Sequence, residues 1–392
     1  MKTLELFEKY VIPNYTRYPV SLERGEGAYL WDEDGKRYLD FFPGWGCCLL
    51  GHCPPKVVEA VQKQVATLIH VPNSWYQRPQ GVWAQMLSER SFGGKCFFCN
   101  SGTEANEAAI KLIRMYGESE KRYRILTFEN SFHGRTMGAL TATAQPKYHN
   151  GVCPMLPGFV YAPYNDLEKV AEIVENDKEL AGIMLEPIQG EGGVRFPAAG
   201  FLEGLRKLCD EHRLILHFDE VQTGCGRTGN WFAYQAFGVV PDTMSLAKTV
   251  AGGIAAGALV CKPELAEHLR PGMHAATFGG NPIAAAAGIA TLEAIEEGNL
   301  LQKAKDNGEI FLKRFNELKG TCDLIEDVRG LGAMIGMELN INGTEVVRKC
   351  MERGLLINCT HGSVIRLLPP AILTAEQVHE GCDIICDVIS SL

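Results

Sequence analysis

Five polar clusters in this sequence carry residue types that can do chemistry, and each follows a short apolar run. Lys248 closes the run 243–247 and opens onto Gly252-Gly253. Most lysines are solvated surface cations, but one at the end of an apolar strand is a candidate for a lowered pKa and for condensation with a carbonyl. The run 214–219 ends in Asp219-Glu220, a carboxylate at a sheet edge, where a purely structural role is hard to supply. After the run 96–99 comes Asn100-Ser101-Gly102-Thr103-Glu104. Ser101 and Glu104 suit a capping box, while the same amides, hydroxyls and flexible glycine suit an anion at a helix N-terminus; the segment alone leaves these readings even. Phe132-His133-Gly134-Arg135-Thr136 follows the run 124–128. It offers a ring to stack on a flat ligand and a guanidinium for a carboxylate, although a polar loop with one aromatic anchor would look the same. Glu186-Pro187-Ile188-Gln189-Gly190-Glu191-Gly192-Gly193 puts two carboxylates in a glycine-rich loop that a plain turn explains nearly as well.

Ligands of open α/β sheets bind beyond the carboxyl ends of the strands, so these clusters need strands to carry them. Apolar runs at 96–99, 124–128, 182–186, 214–219, 243–247 and 257–261 read as strands, with helical patterns at 104–116, 167–174 and 201–212. That alternation predicts an α/β fold, a mostly parallel central sheet covered by helices on both faces. From about residue 284 the pattern changes to a long helix (289–318), strands at 324–329 and 333–339, a helix at 346–353, strands at 355–358 and 364–367, and a final helix from Thr374. This reads as a smaller α+β domain (286–392). The N-terminal segment (1–45), with its turn-forming Asp32-Glu33-Asp34-Gly35, is expected to pack on it, and 46–285 would be the large domain.

Composition narrows the function classes. At 392 residues the chain exceeds a single core, and 46% hydrophobic residues supply a sizeable interior. Lys+Arg number 38 against 47 Asp+Glu, a net charge of −9 that argues against nucleic-acid or anionic-membrane partners. No apolar stretch approaches the ~18 residues of a membrane span. Residues 1–15 carry acids and Pro13 rather than the apolar core of a secretory signal, so a cytoplasmic location is expected. The 14 cysteines are then expected reduced, with Cys47, Cys48, Cys261 and Cys386 as small core residues. Cys96-Phe97-Phe98-Cys99 has the spacing of half a metal or redox site, but with no second pair a buried strand is expected and no metal. Glycine is in excess, 42 of 392, and its expected place is in the loops around a ligand pocket.

A phosphate cup, a stacking ring, a carboxylate and an amine together describe a pocket for an aromatic phosphorylated aldehyde. Pyridoxal 5'-phosphate requires all four, the carboxylate keeping its pyridine nitrogen protonated. The competing class is an NAD-dependent oxidoreductase, suggested by the literal G-x-G-x-x-G of Gly224-Cys225-Gly226-Arg227-Thr228-Gly229. Its context speaks against it: Glu220 to Thr223 separate it from the strand, and the aromatic-rich Asn230-Trp231-Phe232-Ala233-Tyr234 stands where a helix should begin.

The sequence resembles the class III aminotransferases of fold type I, most nearly the acetylornithine and ornithine aminotransferases, along almost its whole length. The resemblance rests on Arg24-Gly25-Glu26-Gly27, Asn100 to Glu107, Phe132 to Thr136, Glu186 to Gly192, Asp219 to Gly224, Lys248, Thr277-Phe278-Gly279-Gly280-Asn281-Pro282 and Val328 to Gly332. It implies an enzyme that moves the terminal amine of N-acetylornithine, as in arginine synthesis, to 2-oxoglutarate by a ping-pong cycle yielding glutamate. Ornithine, succinyl-diaminopimelate or another ω-amino donor are its alternatives. Residue by residue, it implies that Lys248 binds the cofactor and shuttles a proton. Asp219 would pair with the pyridine nitrogen and Gln222 with the phenolic oxygen, Phe132 would stack on the ring beside His133, and Ser101, Gly102 and Thr103 would hold the phosphate. Thr277 would reach the phosphate of the neighbouring subunit, making a homodimer with shared sites. Arg135 would grip one substrate carboxylate and Arg366 a second, with Glu191 neutralising Arg366 when the other donor binds. Trp45 and Tyr15 would line the substrate channel. Departures from the family pattern fall at Trp45, at Gly51-His52-Cys53-Pro54-Pro55, at Gly253-Ile254-Ala255 and at His274-Ala275-Ala276-Thr277.

Overall fold

The computed structural model describes residues 2–392. Strands β1 (Leu22–Glu26), β2 (Tyr29–Asp32) and β3 (Arg37–Asp40) form an N-terminal meander. Its β2–β3 turn is made by Gly35 at φ +82° and by Asp32, whose Oδ1 accepts the Asp34 and Lys36 amides. Next come β4 (Lys95–Cys99), β5 (Arg124–Phe128), β6 (Phe159–Ala162), β7 (Leu180–Leu185), β8 (Ile215–Asp219), β9 (Thr243–Leu246) and β10 (Gly257–Cys261). These seven make one sheet in the order β4-β10-β9-β8-β7-β5-β6, parallel throughout except where β10 runs against β4 and β9. β7 and β8 are buried at every residue, as expected of strands covered on both faces.

The strand β6 has no counterpart in the sequence reading. It pairs only with β5 at the sheet edge and leaves Tyr161 exposed; its run Phe159-Val160-Tyr161-Ala162 is apolar but only four residues long, closed by Gly158 and Pro163. The expected long helix 289–318 is two helices, Pro282–Glu297 and Leu300–Lys319. Asn299, at φ +51°, breaks them where Gly298 ends the first; apolar spacing runs through both because each packs a face inward. Pro282–Glu297 lies against helices Pro55–Val65 and Arg78–Arg90, so the expected boundary at 285/286 falls inside a helix of the large core.

The C-terminal part contains β11 (Ile325–Leu331), β12 (Met334–Leu339), β13 (Leu355–Leu356), β14 (Asn358–Thr360) and β15 (Val364–Leu367), with a closing helix Ala375–Ser390 capped by the Thr374 side chain. The run 355–358, read as one strand, is divided at Ile357. β13 pairs with β3, aligning Leu355 with Leu39, whereas β14 pairs with β15 in the sheet β11-β12-β15-β14. Ala28, Leu39 and Phe41 join Phe311, Phe315 and Leu355 in the second core, which ties the N-terminal segment to this part.

The G-x-G-x-x-G segment is a run of buried turns rather than the opening of a helix. Arg227 is fully buried within it, and its guanidinium donates to the carbonyls of Gly46 (3.2 Å), Ala333 (3.0 Å) and Pro369 (2.5 Å). Burial lowers its pKa to about 10. The motif is therefore a seam between three parts of the chain. All fourteen cysteines are free, and no cluster of metal ligands occurs among the described residues. Cys261 is buried as expected, but Cys47, Cys48 and Cys386 are only half-buried, and Cys47 faces the site described next. No helix among the described residues is long and apolar enough to cross a membrane.

Candidate active site

The carboxyl ends of β4, β5, β7, β8 and β9 converge on one cavity of about 390 Å³. Lys248 reaches it from the end of β9, beginning a single 3-10 turn, Lys248–Ala251. Its φ of +48° is rare for a residue with a side chain, and strain of this kind persists where the surroundings demand an orientation. Burial lowers the lysine pKa; the nearby Glu191 carboxylate opposes that shift and Arg366 adds to it.

Asp219, the last residue of β8, is buried and lines the same cavity. One carboxylate oxygen, Oδ2, lies 2.7 Å from Nδ1 of His133 and 2.7 Å from Nδ2 of Asn106, while Oδ1 accepts the Val221 amide at 3.0 Å. Burial alone would raise the Asp219 pKa, but the His133 hydrogen bond and charge and the Val221 amide outweigh it and hold the group below the usual carboxylate range. Asn106 is itself held by Ser245, whose hydroxyl donates to its Oδ1 at 2.5 Å, and Ser245 is backed by His217. Burial drives the His217 pKa down to about 3, so that histidine supports the chain as a neutral ring.

Ser101 caps the helix Gly102–Gly117, accepting the Glu104 amide. The carboxylate of Glu104 reaches back one residue further than a capping box requires, to the Asn100 amide at 2.7 Å. Ser101, Gly102 and Thr103 all line the cavity, so one segment makes the cap and presents amides and hydroxyls to an anion. Opposite, Phe132 is set by its own amide, which donates to Glu186 Oε2 at 2.9 Å; Glu186 Oε1 takes the Gly190 amide at 3.0 Å. Glu186 is fully enclosed, and burial pushes its pKa up to about 7 against the opposing pull of His133 and these amides. Gly134, at φ +139°, lets the backbone pass Thr103: a Cβ there would sit 2.2 Å from the Thr103 hydroxyl oxygen.

Arg366, on β15, is 1% exposed and sits behind this cavity rather than on its wall. It donates to Glu191 Oε1 at 2.7 Å, to Asn358 Oδ1 at 2.9 and 3.2 Å, and to Gln222 Oε1 at 3.4 Å. Glu191 is held below its usual pKa because Arg366 outweighs the cost of its burial. Arg135 lines the cavity with its guanidinium exposed and outside every ion pair among the described residues.

The structure thus brings together Lys248, Asp219, Ser101, Gly102, Thr103, Phe132, His133, Gln222, Arg135 and Glu191, with Arg366 one side chain away. Three other expected site residues stand apart from the cavity wall: Thr277 is exposed, and Trp45 and Tyr15, each 55% exposed, pack ring to ring at 5.9 Å. Glycines 190, 192, 193, 252, 279 and 280 also lie off the wall. Gly279, for example, is required by packing, since a Cβ would fall 2.1 Å from the Phe98 carbonyl oxygen. Sequence reasoning singled out Glu186 only within its glycine-rich loop, and missed Asn106 and Cys47 as wall residues. A polar Asn106 between Ala105 and Ala109 on a buried helix face was the available signal.

An aromatic phosphorylated aldehyde fits this donor set: a desolvated lysine, a carboxylate kept ionised by His133, a half-buried ring, and a helix N-terminus for the phosphate. Fold and site together define a pyridoxal phosphate-dependent aminotransferase, acting on an amino donor and a keto acid. The family described as aminotransferase class-III matches residues 10–389, and the chain belongs to it. An acetylornithine aminotransferase of Caldanaerobacter subterraneus subsp. tengcongensis is 48% identical over 98% of this chain and 98% of that protein. One from Methanocaldococcus jannaschii is 45% identical over 99% and 98%. Among solved structures, an acetylornithine aminotransferase from Elizabethkingia anophelis superimposes with a TM-score of 0.89 at 33% identity, covering 99% of this chain and 98% of that one. The ornithine aminotransferase of Toxoplasma gondii gives 0.95 at 30% identity, covering 99% and 93%.

Proposed function

We propose that this enzyme moves the terminal amino group of N-acetylornithine to 2-oxoglutarate, giving the semialdehyde and glutamate in two half-reactions through one site. The observation that carries this reading is the unequal state of the two arginines. Arg135 is open, whereas Arg366 is buried and covered by Glu191. A donor with a single carboxylate needs only the open arginine; a dicarboxylic acid needs both, and its second carboxylate takes the place of Glu191. The curated relatives named above support the acetylated donor.

When bound, pyridoxal phosphate supplies an electron sink conjugated to the amine-bearing carbon of the substrate. The protein does the rest. Ser101, Gly102 and Thr103 would hold the phosphate at the helix N-terminus. Phe132 would cover the ring, and Gln222 would serve the phenolic oxygen. Asp219, held below the usual carboxylate range by His133 and the Val221 amide, would keep a proton on the pyridine nitrogen. Lys248, its amine favoured in the neutral form by burial, would accept at Nζ the proton that leaves the amine-bearing carbon of the substrate and hand it on. Trp45 and Tyr15, paired outside the cavity wall, would line the approach to it.

The same reading makes the enzyme a homodimer. Ile69, Trp75, Tyr76 and Phe278 are all more than half exposed, a patch in which His70 packs on Phe278 at 5.0 Å and Asn73 binds the Gly279 carbonyl. Thr277 lies beside Phe278, outside its own cavity, so that in a dimer it would reach the neighbouring site. Fourteen unpaired cysteines suit the reducing cytoplasm. The deciding experiment supplies N-acetylornithine, ornithine, N-succinyl-diaminopimelate and 4-aminobutyrate with 2-oxoglutarate and measures glutamate. N-acetylornithine should have the highest kcat/KM, and a higher value for any other donor overturns the assignment. Sedimentation at micromolar concentration should show a dimer.

A further inference from the structure

Arg135 is placed by aromatic rings. Its guanidinium carbon lies 4.0 Å from the centroid of the Tyr148 ring and 5.3 Å from that of Phe132. Those two rings meet edge to face, with centroids 6.0 Å apart and an interplanar angle of 82°. Tyr148 is half-buried in the single turn Pro146–His149, and that turn is anchored on both sides. On one side Gln145 donates through Nε2 to the Ser131 carbonyl at 2.9 Å, next to Phe132. On the other, His149 Nε2 lies 3.0 Å from the Leu140 carbonyl and 2.8 Å from that of Thr143. The Tyr148 ring is therefore a fixed shelf. Lys147 Nζ also lies 4.8 Å from its centroid, a second cation on the same ring.

We propose that Tyr148 is a positioning and specificity-determining residue: its ring holds the Arg135 guanidinium in the cavity, free of any carboxylate partner and ready for the donor's carboxylate. This rests on the reading above that Arg135 takes that carboxylate. A cation held by an ion pair must break it before binding substrate, as Arg366 does with Glu191; a cation held on a π face keeps its N–H donors unspent. The contribution comes from the ring face, so the tyrosine hydroxyl is dispensable and an aliphatic side chain does not substitute.

The test uses the holoenzyme and follows the first half-reaction by cofactor absorbance. Two donors are compared: N-acetylornithine, and N-acetyl-1,4-diaminobutane, which differs only in lacking the carboxylate. Tyr148→Leu should raise half-saturation for N-acetylornithine roughly 3- to 30-fold with little change in the limiting rate, the range expected for losing a partly exposed cation–π contact. It should leave the carboxylate-free amine unchanged, and Tyr148→Phe should behave as wild type with both. Arg135→Ala separates the two levels of the argument. If it leaves N-acetylornithine unaffected, the carboxylate reading and the shelf both fall. If it weakens N-acetylornithine while Tyr148→Leu does not, the shelf alone falls. Equal losses for both donors in Tyr148→Leu, or a Tyr148→Phe enzyme as impaired as the leucine one, also overturn it. Should Tyr148→Leu not fold, Tyr148→Met, which fills the space without a π face, carries the same expectations.

Discussion

Glu191→Gln tests the gate over Arg366 quantitatively. In the wild type a 1% exposed guanidinium faces one carboxylate at 2.7 Å and the neutral oxygens of Asn358 and Gln222, with the Phe42 ring 5.1 Å away. Removing one partner of a fully buried pair costs about 3–5 kcal/mol. Here the Glu191 side chain keeps 28% of its exposure and glutamine retains an acceptor, which reduces the expected cost to about 1–3 kcal/mol. The cost falls on the free enzyme and on its complex with a one-carboxylate donor. On the proposed reading it is relieved when the second carboxylate of glutamate or 2-oxoglutarate lands on Arg366. The ratio of kcat/KM for glutamate to that for N-acetylornithine should therefore rise roughly 5- to 150-fold, the same free energy expressed as a ratio. Both constants are read in stopped-flow half-reactions from the change in cofactor absorbance. An unchanged or falling ratio refutes the idea that Glu191 competes with substrate for Arg366.

Three other expectations follow from the site. Lys248→Ala should lose both turnover and the visible absorbance that borohydride fixes to the chain; a wild-type rate removes the lysine from the mechanism. Gly134→Ala forces a Cβ against Thr103 at φ +139°, and should weaken cofactor binding at least about tenfold by absorbance titration; an unchanged affinity would show that Thr103 does not hold the phosphate. In the apoenzyme, the Lys248 pKa lies below its ordinary 10.5, so between the two values the unfolded chain binds more protons and stability rises with pH. The unfolding free energy of wild type minus that of Lys248→Met should accordingly increase with pH across that window. A flat or falling difference contradicts a desolvated lysine.

Much of this protein was written in its local sequence. Strands buried on both faces must be apolar at consecutive positions, so β5, β7, β8, β9 and β10 announced themselves, and the polar residues interrupting them at Asp219 and Lys248 marked the ligand edge. Order along the chain also rejected the G-x-G-x-x-G reading, because a dinucleotide loop must open directly into a helix. What remained illegible depends on partners far away in sequence. Asp32 and Gly35 make their turn locally, but the four-residue β6 takes its place by pairing with β5 at the sheet edge. The Asp219 pKa is held down by His133, 86 residues distant, on the same oxygen that Asn106, 113 residues distant, also reaches. Arg366 meets Glu191 across 175 residues, Arg227 closes a seam from Gly46 to Pro369, and Tyr148 comes to lie under Arg135 through a turn fixed by Gln145 and His149. Residue types and spacing determined which chemistry was available. Burial and long-range hydrogen bonds, which no local pattern encodes, decided the protonation of each group and which of the two arginines stands open.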